Sequence, residues 1–120
     1  MNLDEVVEKV CRLPIDFYGG SKSMVELVWE SGVEACPAAL TAANILAYLR
    51  NNPTLVDQWL NWSANKRVTS GWYFARRRGD LVVGFHPQGE TLAFKDPVLA
   101  CAEFVTREVA AIVKVPRKKR

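Results

Sequence analysis

Four groups of residues along this chain have side chains that can do chemistry. Residues 19–22 (GGSK) contain the glycines, hydroxyl and lysine of a phosphate loop, but the full GxxxxGK[ST] spacing and a preceding apolar strand are missing. Asp80 and Glu90 flank one predicted strand and could form a carboxylate pair for acid–base work. His86, the single histidine, stands before a proline at the end of that strand. A turn before a helix, ordinary turn acids and a solvated histidine account for these groups more simply.

The fourth group is the three cysteines, Cys11, Cys36 and Cys101, which lie far apart among apolar neighbours. An odd number of widely spaced cysteines favours reduced thiols used as small apolar side chains over a disulfide framework. The three with His86 have the right donor atoms for zinc, but no CxxC pair fixes two ligands locally. The sequence therefore predicts no catalytic residue, no metal site and no cofactor.

Charge is distributed unevenly along the 120 residues, although the formal net charge is only +3 and the sequence pI about 8.9. Residues 114–120 (KVPRKKR) hold five of the sixteen Lys and Arg. Residues 1–113 consequently carry eleven basic and thirteen acidic side chains. The basic pI therefore describes a tail on a polarised domain, and such polarity can steer a charged partner.

The acidic charge is concentrated in residues 1–36, which contain seven acids against three bases. An acidic surface of this kind suits a basic protein partner, for which we expect one set of contact residues: Glu5, Glu8, Asp16, Glu26, Glu30 and Glu34. The same carboxylates are equally well explained as the solvated faces of helices.

The basic charge suggests an alternative partner, single-stranded nucleic acid. In the run KRVTSGWYFARRR, aromatic residues are interleaved with basic ones, as in proteins that stack bases and bind phosphates. The candidate residues for that binding are Lys66, Arg67, Arg76, Arg77, Arg78, Arg117, Lys118, Lys119 and Arg120. However, Trp72 and Phe74 share the strand parity of other apolar residues, which favours a place in the core over stacking on bases.

The apolar rhythm predicts a helical N-terminal half. Helices are expected over 3–13, ending at Pro14, then from a Ser21 or Ser23 cap to Gly32, then from Pro37 to Asn52, and from a Thr54 cap to Asn65. Residues 17–20 are expected to form a turn. Trp59 and Trp62, three apart on the fourth helix, are predicted core residues.

The second half switches to a strand rhythm. Residues 68–77, 81–86 and 91–95 predict an antiparallel three-stranded meander, with Trp72, Phe74, Leu81, Val83, Phe85, Leu92 and Phe94 on one face. A last helix over 97–113, capped by Asp96, carries the apolar stripe that covers this face. The predicted class is α+β, with residues 1–114 as one domain and 115–120 as a flexible basic tail. No apolar run is long enough to span a membrane and the N-terminus lacks a secretory pattern, so a cytoplasmic location is expected.

The C-terminal half also resembles a known kind of protein. The segments WLNWSANKR, SGWYF, VVGFHPQGETLAF and DPVLACAEFVTREV, over residues 54–109, are similar to small bacterial immunity proteins of polymorphic toxin systems, including contact-dependent growth inhibition. The resemblance implies a non-enzymatic protein that binds and neutralises a cognate toxin domain, such as a nuclease, by blocking its active site or substrate surface. Members are often acidic, whereas this chain has a basic tail.

Overall fold

The computed structural model describes residues 2–66, 71–87 and 89–115. Its α-helices are α1 (Leu3–Cys11), α2 (Leu13–Tyr18), α3 (Met24–Glu30), α4 (Ala42–Asn51), α5 (Leu55–Asn65) and α6 (Pro97–Val113). Its strands are β1 (Gly71–Arg77), β2 (Asp80–His86) and β3 (Thr91–Phe94), and one 3-10 turn covers Pro37–Ala39. The predicted α+β class, with a helical first half, an antiparallel sheet and a C-terminal helix on it, is confirmed.

The sheet is a meander in the order β1-β2-β3 with both pairs antiparallel. A two-residue turn joins β1 to β2 through Arg78 and Gly79, whose φ angles are 53° and 84°. Positive φ at both positions matches the twist of a hairpin, and glycine adopts it without strain. The turn leaves three consecutive arginines, Arg76, Arg77 and Arg78, at the tip of the hairpin.

One face of the sheet packs against α6. The register pairs Trp72 with Phe85, and Phe74 with Val83, so the predicted apolar face is confirmed. Phe74 stacks on Phe104 of α6 with ring centroids 5.5 Å apart and is 1% exposed. Burial of such a ring contributes about 1.5–3 kcal/mol to folding.

Helix α6 lies between the sheet and the N-terminal helices, contacting all three strands on one side and α3 and α4 on the other. Its Phe104 also meets Trp59 and Trp62 of α5 at 5.9 and 6.3 Å. Both tryptophans are core residues, as predicted. The indole Nε1 of Trp59 donates a 2.9 Å hydrogen bond to the Cys11 carbonyl oxygen, which ties α5 to the end of α1.

Helix boundaries depart from the sequence predictions in two places. The chain resumes a helix at Leu13, with Pro14 in its first turn, because proline lacks only an N–H that is unpaired there anyway. The predicted turn over 17–20 is therefore wrong at Phe17 and Tyr18, which end α2. The predicted third helix is also split, since Pro37–Ala39 form a 3-10 turn and Thr41 caps α4 through its hydroxyl.

Capping residues were predicted with mixed success. Ser23 forms a full capping box with Glu26, and the Asp96 carboxylate accepts from the Val98 and Leu99 amides. Thr54 makes no side-chain cap, contrary to the prediction. Within the described segments, no helix has both the length and the apolar content needed to cross a membrane.

Candidate functional site

Of the three cysteines, Cys11 and Cys101 are buried in the core, and Cys36 is partly buried against it. Burial raises the pKa of Cys11 to about 12 and, with Cys11 nearby, raises that of Cys101 well above its ordinary value. A thiol with a raised pKa is almost entirely protonated at neutral pH and is a poor nucleophile and metal ligand. Across residues 2–66, 71–87 and 89–115, no three His, Cys, Asp or Glu side chains come together as metal ligands.

The other groups considered for chemistry are far apart or engaged. Lys22 donates to both carboxylate oxygens of Glu30, at 2.7 and 2.8 Å. Asp80 lies 2.5 Å from Lys95 and Glu90 lies 2.6 Å from Arg107, at opposite ends of β2. Each carboxylate is engaged by a different cation, so the fold does not bring the two together as the acid and base of one reaction.

The helical half contains an acidic groove between α1 and α4, about 260 Å³ in volume. Its lining residues are Leu3, Asp4, Val7, Glu8, Asn44, Ala47, Tyr48 and Asn51. Asp4 and Glu8, one turn apart on α1, lie on the same wall. Among the described residues, no cation pairs with either carboxylate. The groove therefore presents two carboxylates, beside amides and an apolar floor, to an incoming group.

The structure does not bring the six predicted partner-binding acids onto one helix. Glu5 and Glu8 are exposed on α1 and Asp16 is exposed on α2, whereas Glu26 and Glu30 belong to α3.

Within that set, Glu26 accepts from the Ser23 amide and hydroxyl, and Glu30 pairs with Lys22. Glu34 lines a separate groove beside Lys114 at the end of α6. Two of the six predicted acids thus line grooves: Glu8 lies in the acidic groove, and Glu34 lies in a groove that also holds Lys114.

The sheet half contains a larger basic groove, about 600 Å³, between α5 and the outer edge of β1. Its polar side chains are Ser63, Lys66, Tyr73, Arg76, Arg77 and His86, and none of its described lining residues carries a carboxylate. The groove opens toward the reverse face of the sheet, where Tyr73, Arg77 and His86 lie by the register of β1 and β2.

Tyr73 gives the basic groove a fixed aromatic surface. Its ring lies against Gly84, where an added Cβ would come 2.4 Å from the Tyr73 hydroxyl oxygen. The Arg77 guanidinium lies over the same ring at 5.2 Å from the centroid. The cation is held by the ring quadrupole, so Arg77 is preorganised.

Lys66 corrects one prediction made for nucleic-acid binding, because its charge is turned into the protein. Its Nζ lies 2.8 Å from Glu108 Oε2, with side chains only 11% and 7% exposed, and it also donates to the Trp72 carbonyl oxygen. Desolvation raises the pKa of Glu108, and the hydrogen bond from Lys66 opposes that rise. The Lys66 ammonium therefore links Glu108 of α6 to the Trp72 carbonyl of β1 inside the protein, and it is not available to a phosphate.

The remaining basic candidates are exposed at the hairpin tip. Arg76 lies 3.4 Å from Asp57 with both side chains mostly in solvent, and Arg77 and Arg78 are exposed. The candidates Arg67, Arg117, Lys118, Lys119 and Arg120 lie outside the described residues, as does the predicted flexible tail 115–120 except for Val115.

An aromatic patch at the open end of the sheet differs from the prediction. Phe85, expected in the core, lies next to the end of β2 beside exposed His86 and is itself 39% exposed. Its ring meets Trp72 edge-on at 5.1 Å, and the Arg107 guanidinium lies 4.9 Å from the Trp72 centroid. Trp72 is half-buried, so of the two aromatics considered for base stacking, Phe74 is closed off and Trp72 is already covered by Arg107.

Sequence reasoning missed two sets of groove residues. Tyr73 lies on the reverse face of the sheet, so the inward parity of the apolar residues does not select it. The signal for it is Gly84 in the middle of β2, because a glycine leaves room for an aromatic ring of the neighbouring strand to lie across it. The polar positions Asn44, Tyr48 and Asn51, spaced four and three apart, are the matching signal for the wall that α4 gives the acidic groove.

In comparisons with known proteins, no protein-family model, no curated protein and no solved structure matches this chain.

Proposed function

We propose that this chain is a non-enzymatic binding protein that neutralises a cognate bacterial toxin domain, acting as an immunity protein. The observation that carries the proposal is the acidic groove, where Asp4 and Glu8 have no described cation partner. Two unpaired carboxylates on one wall fit a basic side chain from a partner. The resemblance of residues 54–109 to immunity proteins adds support.

The partner would present a basic cleft, as nucleases do to bind phosphates. Helix α1 carries Glu5 on the turn that also holds Asp4 and Glu8, so the attractive field extends beyond the groove itself. Exposed charges of this kind accelerate encounter and select against acidic proteins, while apolar contacts such as Leu3 in the groove prolong the complex. Occupying the cleft would block the toxin's active site or substrate surface.

The direct test is co-expression with the toxin domain encoded next to this chain's gene. We expect the chain to protect the cell and to bind the purified toxin with a Kd of about 10 nM or below, because few toxin molecules can be left active. Absence of protection together with absence of binding would contradict the proposal.

The surface is tested by reversing charges in matched pairs. Asp4→Lys with Glu8→Lys should slow association about tenfold at low salt and less at high salt, since exposed charges are screened. The control is Asp57→Lys with Glu90→Lys, which makes the same charge change outside the acidic groove, on α5 and directly before β3. Equal slowing by both pairs would show a general charge effect and remove the groove from the interface.

A further inference from the structure

We infer that the basic groove between α5 and β1 is a second binding site, and that it takes single-stranded nucleic acid. Its lining includes Arg76, Arg77, His86 and Tyr73, with Arg77 over the Tyr73 ring, and it is separate from the acidic groove of the helical half. Phosphates supply the negative charge that the described lining of this groove lacks. A single strand can present its phosphates to the lining side chains one at a time.

The donors are arranged before any ligand arrives. Tyr73 is fixed by its position over Gly84, and Arg77 is fixed over Tyr73. An arginine held over an aromatic ring keeps its guanidinium plane available for phosphate oxygens or for stacking by a base. Arg76 is 60% exposed in its side chain, and its 3.4 Å contact with Asp57 is weak enough to be exchanged for a phosphate.

The outer edge of β1 argues against an extended peptide as the occupant. A peptide adding to a sheet needs the free backbone groups of the edge strand. Here the Phe74 amide donates to Ser63 Oγ at 2.8 Å, and the Trp72 carbonyl oxygen accepts from Lys66. Because Ser63 of α5 and Lys66 already occupy these two groups, they are not open to strand addition, and the lining side chains are the contacts offered to a polyanion with planar bases.

The experiment is fluorescence anisotropy of a labelled uridine RNA of about 12 nucleotides, titrated with the full chain between about 50 and 200 mM salt. Arg76→Ala with Arg77→Ala should weaken binding at least about tenfold and reduce the salt slope by about 1.4, since each lost single-strand phosphate contact removes about 0.7. The control, Lys9→Ala with Lys22→Ala, removes two exposed cations from the helical half and should leave affinity within about twofold.

Tyr73 separates a built site from diffuse attraction. Tyr73→Phe keeps the ring under Arg77 and should retain affinity, whereas Tyr73→Leu should lose about threefold at an unchanged melting temperature. The inference would be overturned if the chain did not bind RNA, or if the control pair lost as much RNA affinity as the arginine pair. It would also be overturned if deleting residues 116–120 abolished RNA binding while the arginine pair had no effect. The same holds if polyglutamate competed for the site as well as unlabelled RNA does.

Discussion

The acidic groove and the basic groove hold their charges in different ways. In the helical half, Asp4 and Glu8 stand on one helix face without a described cation partner. In the sheet half, Lys66 has Glu108 and the rings of Trp62 and Phe104, Arg77 has Tyr73, and Arg107 lies over Trp72. This chain therefore carries charge suited to long-range steering in one region and charge that is fixed in place in another.

The two arrangements respond differently to solvent and mutation. Exposed carboxylates are screened by salt and contribute little to folding. A buried ion pair is screened much less, and loss of one partner leaves the other charge without compensation. Removal of Glu108 from its buried pair should therefore destabilise the fold strongly, whereas removal of Asp4 or Glu8 from the acidic groove should hardly affect it.

The largest expected effect is at the aromatic centre that anchors the sheet-half charges. Phe104 is fully buried and contacts Trp59, Trp62 and Phe74. Phe104→Ala should lower the free energy of unfolding by about 3–5 kcal/mol in urea titration. Phe85→Ala is the matched control at the exposed corner, and a loss as large as that of Phe104→Ala would show that this corner is core.

A smaller but more specific effect is expected from the buried carboxylate. Glu108→Ala leaves the Lys66 ammonium unpaired among apolar rings, at a cost of about 3 kcal/mol. Glu8→Ala removes the same group from the acidic groove and should change stability by less than about 0.5 kcal/mol. Similar losses for the two variants, measured by chemical denaturation, would erase the contrast between the regions.

The double variant Lys66→Met with Glu108→Leu sharpens the same point. Since both charges leave together, the desolvation penalty disappears, and stability should recover to within about 1 kcal/mol of the parent chain or exceed it. A double variant as unstable as Glu108→Ala would mean that the hydrogen bond to the Trp72 carbonyl matters more than the charge pair.

Sequence periodicity was sufficient for the sheet and for α6, because alternation and a helical stripe both reported burial directly. It failed at Pro14, because a proline is compatible with both the end of one helix and the first turn of the next. It also failed at Thr41, which caps α4 within the single helix that was predicted to begin at Pro37. It also failed at Phe85, where parity gives the face of the strand but not how much of that face is covered near the end of β2.

The grooves were harder to foresee than the elements. The acidic segment was recognised, yet which acids remain without a described partner depends on tertiary neighbours, as with Lys22 beside Glu30. Lys66 read as a surface cation because its partner Glu108 is 42 residues away in sequence. Sequence gives the charge of a region, whereas pairing is decided when distant elements pack.

A cap comparison is expected to give a still smaller effect. Ser23→Ala removes a capping box from α3 in the helical half and should cost about 1 kcal/mol. Thr54→Ala, at the start of α5, removes a hydroxyl that caps nothing and should be close to neutral. Thermal unfolding of both variants checks this, and an equal loss would indicate a role for Thr54 that its hydrogen bonds do not reveal.

The smallest expected effect is on the pH dependence of stability, where two carboxylates act in opposite directions. The hydrogen bond from Arg50 lowers the pKa of Asp96 below its ordinary 3.8, so its contribution is present above that pH and lost as pH falls through the lower folded value. Burial raises the pKa of Glu108 above 4.5, so stability decreases as pH rises from 4.5 through the raised folded value. Asp96→Asn should make the free energy of unfolding less dependent on pH below 3.8. Glu108→Gln should make it less dependent on pH above 4.5. If Glu108→Gln flattened only the acid side in denaturant titrations at each pH, folding would lower the pKa of Glu108, and the hydrogen bond from Lys66 would outweigh the effect of burial.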